Sequence, residues 1–508
     1  MKLPEDFKII GFDLYPYQIH STLFGIKNKD SGLILDMGLG KTIVSLTIAR
    51  YKLRYYNDIR KVLVVCPPTL LLNWKRAIDN YTEYNGLILP ADKKNRAKVA
   101  KNNKEVFNII NYEALFPLLR DIGALKVEKK EIKRLGETKI IKKVIPYNLD
   151  LIKKLKYDII IYDESAKYLK HVTSKRTMSA IHLSNKASHR MILTGTLIGD
   201  KPLNLWSQFM CLDCGKSFGA NFYRFRSNHF DKEKKKWISY KLKQESIPIF
   251  KRIIKEKCIR YKISDCIKDL PEVINYKIIV PLEGELKKEY TKVKKEVLAE
   301  FETKKGSMTL TFTNALSRLV RLQQVTAGFV SKGKGTEKEL KYTPKMDAAM
   351  EEIETIIENG ESVVIWCRFT KSINMFSSRL KSMKIKHLIL DGRIKNNDEK
   401  DKIWRKFQTS KSINVFIGQI ESGGFGIELF KEHMKEGKYQ NVLTYENMWS
   451  PDIQKQKNSR VIRRGLTSPC RLIEVIVENT IDEKILKVVS DKKKISDIIV
   501  DDGIEGLI

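Results

Sequence analysis

The sequence predicts an α/β protein of two lobes, each a parallel sheet flanked by helices, with helical protrusions between them. Three observations carry this. Short apolar runs alternate with helical patterns through roughly the first two hundred residues, a second such series begins near residue 360, and the intervening stretch is charged and mostly helical. Strands that alternate with helices pair in parallel, because each return to the same end of a sheet needs a crossover.

In the first series, residues 33–35, 62–66, 107–110, 159–162 and 190–193 are apolar runs bounded by turn residues and read as buried strands. A basic segment, 126–143, lies between two of them, with halves flanking Gly136. It reads as a protruding hairpin, either a solvated insertion or one that touches nucleic acid. Residues 250–257, 286–303 and 316–324 read as helices of the middle region, and Gly333-Lys334-Gly335-Thr336 as a flexible joint. Residues 362–367, 387–390, 414–417, 441–445 and 471–475 form the second strand series. The expected division is a first lobe over 1–270, a helical protrusion and linker over 271–342, and a second lobe over 343–508.

The 508 residues carry 95 Lys and Arg against 61 Asp and Glu, a net charge of +34. Such a surplus favours a polyanion, since each neutralised phosphate releases counterions. The plain alternative is a lysine-rich surface of compositional origin. Seven scattered cysteines argue for a reducing compartment and against a disulfide framework. Only Cys211 and Cys214 have metal-ligand spacing, a half-site whose plainer reading is structural thiols. No apolar leader or membrane-length run is present, so a cytoplasmic location is expected.

The site chemistry begins at Asp36-Met37-Gly38-Leu39-Gly40-Lys41-Thr42, which lies between a strand and an apolar helix. Glycines let backbone N–H groups approach phosphates at a helix N-terminus; Lys41 then contacts the β- and γ-phosphates and Thr42 coordinates Mg2+. The first glycine of the general pattern is missing, with Leu35 in its place. Asp163 and Glu164 end an apolar strand, where the first carboxylate can hold the metal and the second polarise the attacking water. Gln18, in Tyr15-Pro16-Tyr17-Gln18, can pair with both donor and acceptor on an adenine edge. Thr194-Gly195-Thr196 supplies two hydroxyls and a tight turn after a strand, either an ordinary turn or a link between hydrolysis and motion. Ser422-Gly423-Gly424 allows close backbone approach to a phosphate, of nucleotide or nucleic acid. Arg460 and Arg463 are three apart on an expected helix and so share a face, where arginine can meet charge developing on a transferring phosphoryl group.

Together these motifs resemble the Swi/Snf-type branch of the superfamily-two helicase-like ATPases. Beside the phosphate loop, Cys66-Pro67-Pro68-Thr69-Leu70-Leu71-Leu72-Asn73-Trp74 resembles a second motif of that branch. Leu193-Thr194-Gly195-Thr196-Leu197-Ile198, Leu205-Trp206, Leu319 to Gln324, Gln419 to Leu429 and Trp449-Ser450-Pro451 are similar to further ones. The anchors Gln456, Arg460, Arg463 and Gly465 match its last. The resemblance runs in order over about residues 12 to 490.

It implies two RecA-like lobes that bind Mg-ATP between them and a DNA-dependent ATPase that translocates along duplex DNA as a stand-alone, monomeric motor. Gln18, Gly38, Gly40, Lys41, Thr42 and Gly424 would bind the nucleotide, Thr42 and Asp163 the metal. Lys41, Asp163, Glu164, Arg460 and Arg463 would form the catalytic set, and Trp74, Thr194 and Ser422 would line the DNA track. A strand-separating helicase, a fork or branch-migration enzyme and an ATP-switched DNA clamp remain as alternatives. The chain departs from the family at Ser165-Ala166, where a histidine is absent, at Leu197, at Ser450 and at Ser459.

Overall fold

The computed structural model describes residues 3–134, 137–198, 202–234, 238–266, 271–302, 312–331, 337–420, 427–432, 434, 437–462 and 466–490. The chain divides into two compact units, 1–268 and 269–508.

The first unit holds a seven-stranded sheet of β1 (Asp30–Leu35), β2 (Val62–Cys66), β3 (Gly86–Ile88), β4 (Phe107–Asn111), β5 (Ile159–Asp163), β6 (His189–Thr194) and β7 (Cys258–Tyr261). Their order is β7-β1-β6-β5-β2-β4-β3, and every pairing is parallel. The central strands are buried along their whole length. Alternate residues supply two cores: Leu63, Val65, Ile160 and Tyr162 face one, and Val62, Val64, Ile159 and Ile161 the other. The strand period of two divides them, and each large side chain so buried contributes roughly 1.5–3 kcal/mol.

All five strands expected in this unit are present, and β3 and β7 are additional. Both are short sheet edges: β7 is interrupted by Arg260, and β3 is only three residues long although Leu87-Ile88-Leu89 is as apolar as residues 33–35. The basic insertion is an antiparallel hairpin, Leu125–Arg134 against Glu137–Pro146, with Arg134 opposite Glu137. Cys211 lies in the hydrophobic core, and burial pushes its thiol well up, so it stays protonated.

The second unit holds a six-stranded parallel sheet of β8 (Val273–Val280), β9 (Ser362–Cys367), β10 (His387–Leu390), β11 (Val415–Gln419), β12 (Gln440–Thr444) and β13 (Cys470–Val477). The order is β8-β13-β12-β9-β11-β10. The stretch 271–342, expected as a helical protrusion and linker, opens with β8, which pairs with β13 from Val273↔Cys470 to Val280↔Val477. Helices Gly284–Glu302 and Phe312–Thr326 follow. Leu286, Tyr290, Leu319 and Leu322 enter the same core as Val363 and Ile365 of β9. β8 is half-exposed, and Asn275 and Lys277 interrupt its apolar run, so its sequence does not read as a buried strand. No described helix is long and apolar enough to cross a membrane.

Candidate nucleotide site

The phosphate loop follows β1 and leads into helix α1 (Lys41–Tyr55). Gly38 and Gly40 adopt φ of 84° and 80°, a region open to glycine at little cost. The loop is tied down behind: the Asp36 carboxylate accepts from the Ile263 N–H at 3.2 Å, and its own N–H donates to the Tyr261 carbonyl. Gln18 covers it from the side. Its amide donates to the Leu39 carbonyl at 3.1 Å and accepts from the Tyr15 N–H at 3.1 Å. A Cβ on Gly40 would fall 2.4 Å from Gln18 Nε2, so any side chain there would push the Gln18 amide off the loop. The Lys41 ammonium donates back to the Leu35 carbonyl at 2.9 Å.

Asp163 ends β5, beside β6 and β2. The residue is 5% exposed. Its carboxylate accepts from the Trp74 indole N–H at 2.9 Å and from the Glu164 N–H at 2.9 Å, while its carbonyl accepts from the Tyr112 hydroxyl at 2.7 Å. Burial, with the adjacent Glu164 charge, pushes its pKa up to about 6; the indole and the Lys41 ammonium pull the other way. Glu164 is nearly buried and takes φ of 52°, a left-handed conformation that costs a residue with a Cβ roughly 1–2 kcal/mol. Thr42, one residue into α1, and Asp163 offer the hard oxygen donors that suit Mg2+, which takes one or two carboxylates and completes its shell with phosphate and water.

Two residues expected on an exposed nucleic-acid track lie elsewhere. Trp74 is 1% exposed within helix Leu71–Tyr81, where it serves Asp163. Thr194 is 2% exposed, and its hydroxyl donates to the Thr196 carbonyl at 3.0 Å within its own turn. Bulk explains the first: an indole buries its ring when its N–H finds a buried acceptor. The exposed residues of that turn are Thr196 and Ile198. Gly195 instead packs on the phosphate loop, its Cβ direction meeting the Leu35 carbonyl at 3.7 Å and Lys41 Nζ at 4.0 Å.

In the second unit, Ser422, Gly424 and Arg463 lie outside the described residues. Arg460 is 6% exposed. It does not sit on a helix: Pro451–Asn458 ends two residues before it. Asn458 and Ser459 favour turns over helix interiors, and the Arg460 N–H already bonds Lys457 in a tightened three-residue turn. The Arg460 carbonyl accepts from the Leu429 N–H at 2.8 Å, which fixes the loop before it.

Sequence reasoning missed Trp74 as the partner of Asp163, and it missed Tyr112. It also missed Glu446, which follows β12, is 1% exposed and has its pKa pushed up to about 7 by burial. The signal available was position: each lies on a helix or turn just past the carboxyl end of a central strand, where parallel sheets place their chemistry.

The family model of the SNF2-related domain matches residues 17–328. The chain is 26% identical over 471 residues to a protein of Mycoplasma genitalium named an uncharacterized ATP-dependent helicase, covering 92% of this chain and 40% of that one. It is 24% identical over 500 residues to the CHD3-type chromatin-remodeling factor PICKLE of Arabidopsis thaliana, covering 96% of this chain and 34% of that one. Against the solved SWI2/SNF2 ATPase core of Sulfolobus solfataricus in complex with dsDNA, it aligns over 99% of this chain and 96% of that one. The identity is 23% and the TM-score 0.41. The chain thus spans well under two thirds of the length of the curated relatives it matches.

Proposed function

This chain belongs to the SNF2-related domain family, and from that premise we propose that it is a DNA-dependent ATPase that moves along duplex DNA. One observation carries the ATPase reading. A glycine cradle at a helix N-terminus, a lysine and a buried Asp-Glu pair converge in the first unit, and the lysine is near enough to oppose the upward shift of Asp163. A structural turn would not keep two neighbouring carboxyl groups out of water.

The residues divide the work. Backbone N–H groups of the loop and the Lys41 ammonium bind the β- and γ-phosphates. Thr42 and Asp163 would hold Mg2+, which supplies charge neutralisation on the transferring phosphoryl group. Glu164 orients the attacking water and accepts its proton. Trp74 and Tyr112 hold Asp163 in place and are positioning residues. Gln18, tied to the loop on one side, offers its remaining amide capacity to the adenine. Arg460 and Arg463 are proposed to supply guanidinium charge to the transferring phosphoryl group.

The DNA reading is supported by the +34 charge. Part of that charge lines a cavity of about 580 Å³ at the amino ends of β2, β4 and β5, where Arg60, Lys61, Lys101 and Lys104 stand beside the acids Asp58, Glu105 and Asp158. ATP turnover of wild type and Lys41→Ala, with and without duplex DNA, tests the reading. Wild-type turnover should rise with DNA and Lys41→Ala should be inactive in both conditions. Turnover indifferent to DNA would sink the translocase. A forked duplex separates strand separation from movement along intact duplex.

A further inference from the structure

Helix Leu205–Asp213 is a core helix, with Leu205, Phe209, Cys211 and Leu212 all fully buried in it. Gln208 interrupts that apolar set at 1% exposure. Its amide donates to the Leu197 carbonyl at 3.0 Å and accepts from the Ser165 hydroxyl at 3.1 Å. Ser165 is fully buried and directly follows Glu164. Leu197 is buried between Thr196 and Ile198, both exposed. Upstream of it, Gly195 lies on the phosphate loop. The amide is therefore a buried bridge between the carboxylate turn and a loop that has one side on the phosphates' cradle and the other in solvent. A leucine of similar shape would fill the helix position without an amide to desolvate, so packing alone does not explain a glutamine there.

We propose that Gln208 is a positioning residue that couples DNA contact at the Thr196–Ile198 loop to the placement of Glu164, with Ser165 as its second link. The proposal rests on the DNA-dependent ATPase reading above. The coupling is mechanical: the amide holds the Leu197 carbonyl and the Ser165 hydroxyl at fixed separation. A displacement of the exposed loop therefore reaches the residue beside Glu164 without passing through solvent. No proton moves along it.

The test compares wild type, Gln208→Leu, Ser165→Ala and the double variant in the full chain. Three quantities are read: DNA-free ATP turnover, KM for ATP, and the factor by which saturating duplex DNA raises turnover. Thermal melts show which variants fold. DNA-free turnover and KM should stay near wild type, while the stimulation factor falls at least about fivefold, the low end of ordinary coupling between sites. The double variant should fall no further than Gln208→Leu, since one bridge cannot be cut twice. A folded Gln208→Leu with wild-type stimulation overturns the relay, and so does a double variant whose losses multiply. Equal losses with and without DNA overturn it too, because they report damage to the site rather than lost coupling. If Gln208→Leu fails to fold, Ser165→Ala, which removes one oxygen, decides by the same criterion. Wild type indifferent to DNA overturns both readings; a responsive wild type with an equally responsive variant overturns the relay alone.

Discussion

Trp74→Phe isolates one hydrogen bond at the centre of the site. The ring remains largely in place, and the indole N–H that reaches the Asp163 carboxylate at 2.9 Å is lost. A hydrogen bond to a charged group contributes about 1.5–3 kcal/mol. At 5% exposure, little water can replace it. Each pKa unit corresponds to about 1.4 kcal/mol, so the Asp163 pKa should rise by roughly one to two units from about 6. The acid limb of kcat/KM for ATP reports the free enzyme. In wild type it should fall near pH 6, where Asp163 takes up its proton, and in Trp74→Phe near pH 7 or above. The same shift has a signature in stability. The folded pKa lies above the ordinary 3.8, so between 3.8 and about 6 the folded chain holds a proton that the unfolded chain has released. Stability from this group is thus full below 3.8 and falls as pH rises through that window, by at most about 3 kcal/mol. The variant should extend the fall to higher pH. An acid limb at the same pH in wild type and a folded Trp74→Phe would refute the reasoning, since the indole would then not support the ionised carboxylate.

Gly40→Ala forces a Cβ into the space of Gln18 Nε2 at a φ of 80°; ATP affinity by calorimetry should drop about tenfold and stability by about 1–2 kcal/mol. Glu164→Gln keeps size and hydrogen-bonding capacity but not the charge, so phosphate release should fall at least about a hundredfold, with fluorescent-nucleotide affinity nearly unchanged. Glu446 has its pKa pushed from 4.5 up to about 7 by burial, so its contribution to stability is full below 4.5 and is lost as pH rises through 7. Urea unfolding should show wild type losing up to about 3 kcal/mol between pH 4.5 and pH 8 that Glu446→Gln does not lose.

The parts of this site that were legible in the sequence are those made by neighbours in the chain. The phosphate loop is strand, glycines, Lys41, Thr42 and helix in immediate succession, and Asp163-Glu164 closes an apolar strand. Central strands were legible because burial on both faces leaves a continuous apolar run. The half-exposed β8 and the edge β7 are interrupted by polar residues, and β3 is a three-residue edge that its short apolar run did not single out. What sheet order creates was not legible. Trp74 and Asp163 are 89 residues apart, and they meet because β2 and β5 are adjacent and parallel. A motif-based role for Trp74 put it on a nucleic-acid surface, whereas the indole's need for a buried acceptor put it inside. Arg460 shows the limit of spacing arguments: residues three apart share a face only while the helix lasts, and this one ends at Asn458.

In the second unit, too, polar residues gather at the working edge of the sheet. At the carboxyl ends of its strands, Arg368 follows β9, Gln419 ends β11 and Glu446 follows β12. They are joined to one another. The Glu446 carboxylate accepts from the Arg368 N–H at 2.8 Å and from the Ser372 hydroxyl. The Gln419 amide donates to the Arg368 carbonyl at 3.2 Å. The Arg368 guanidinium bonds Gln323, whose amide reaches the Asn447 carbonyl at 2.7 Å. Helix Phe312–Thr326 is thereby tied to the working edge of the sheet, not only to its apolar face. Burying a carboxyl group at 1% exposure costs several kcal/mol before its partners offset it, and an apolar replacement of the same volume is often no less stable. Stability therefore does not account for Glu446. Rigidity at the strand ends does: the network is centred on Arg368, which is held by Glu446, Gln419 and Gln323, and its directional bonds fix the strand ends in a way that apolar packing does not.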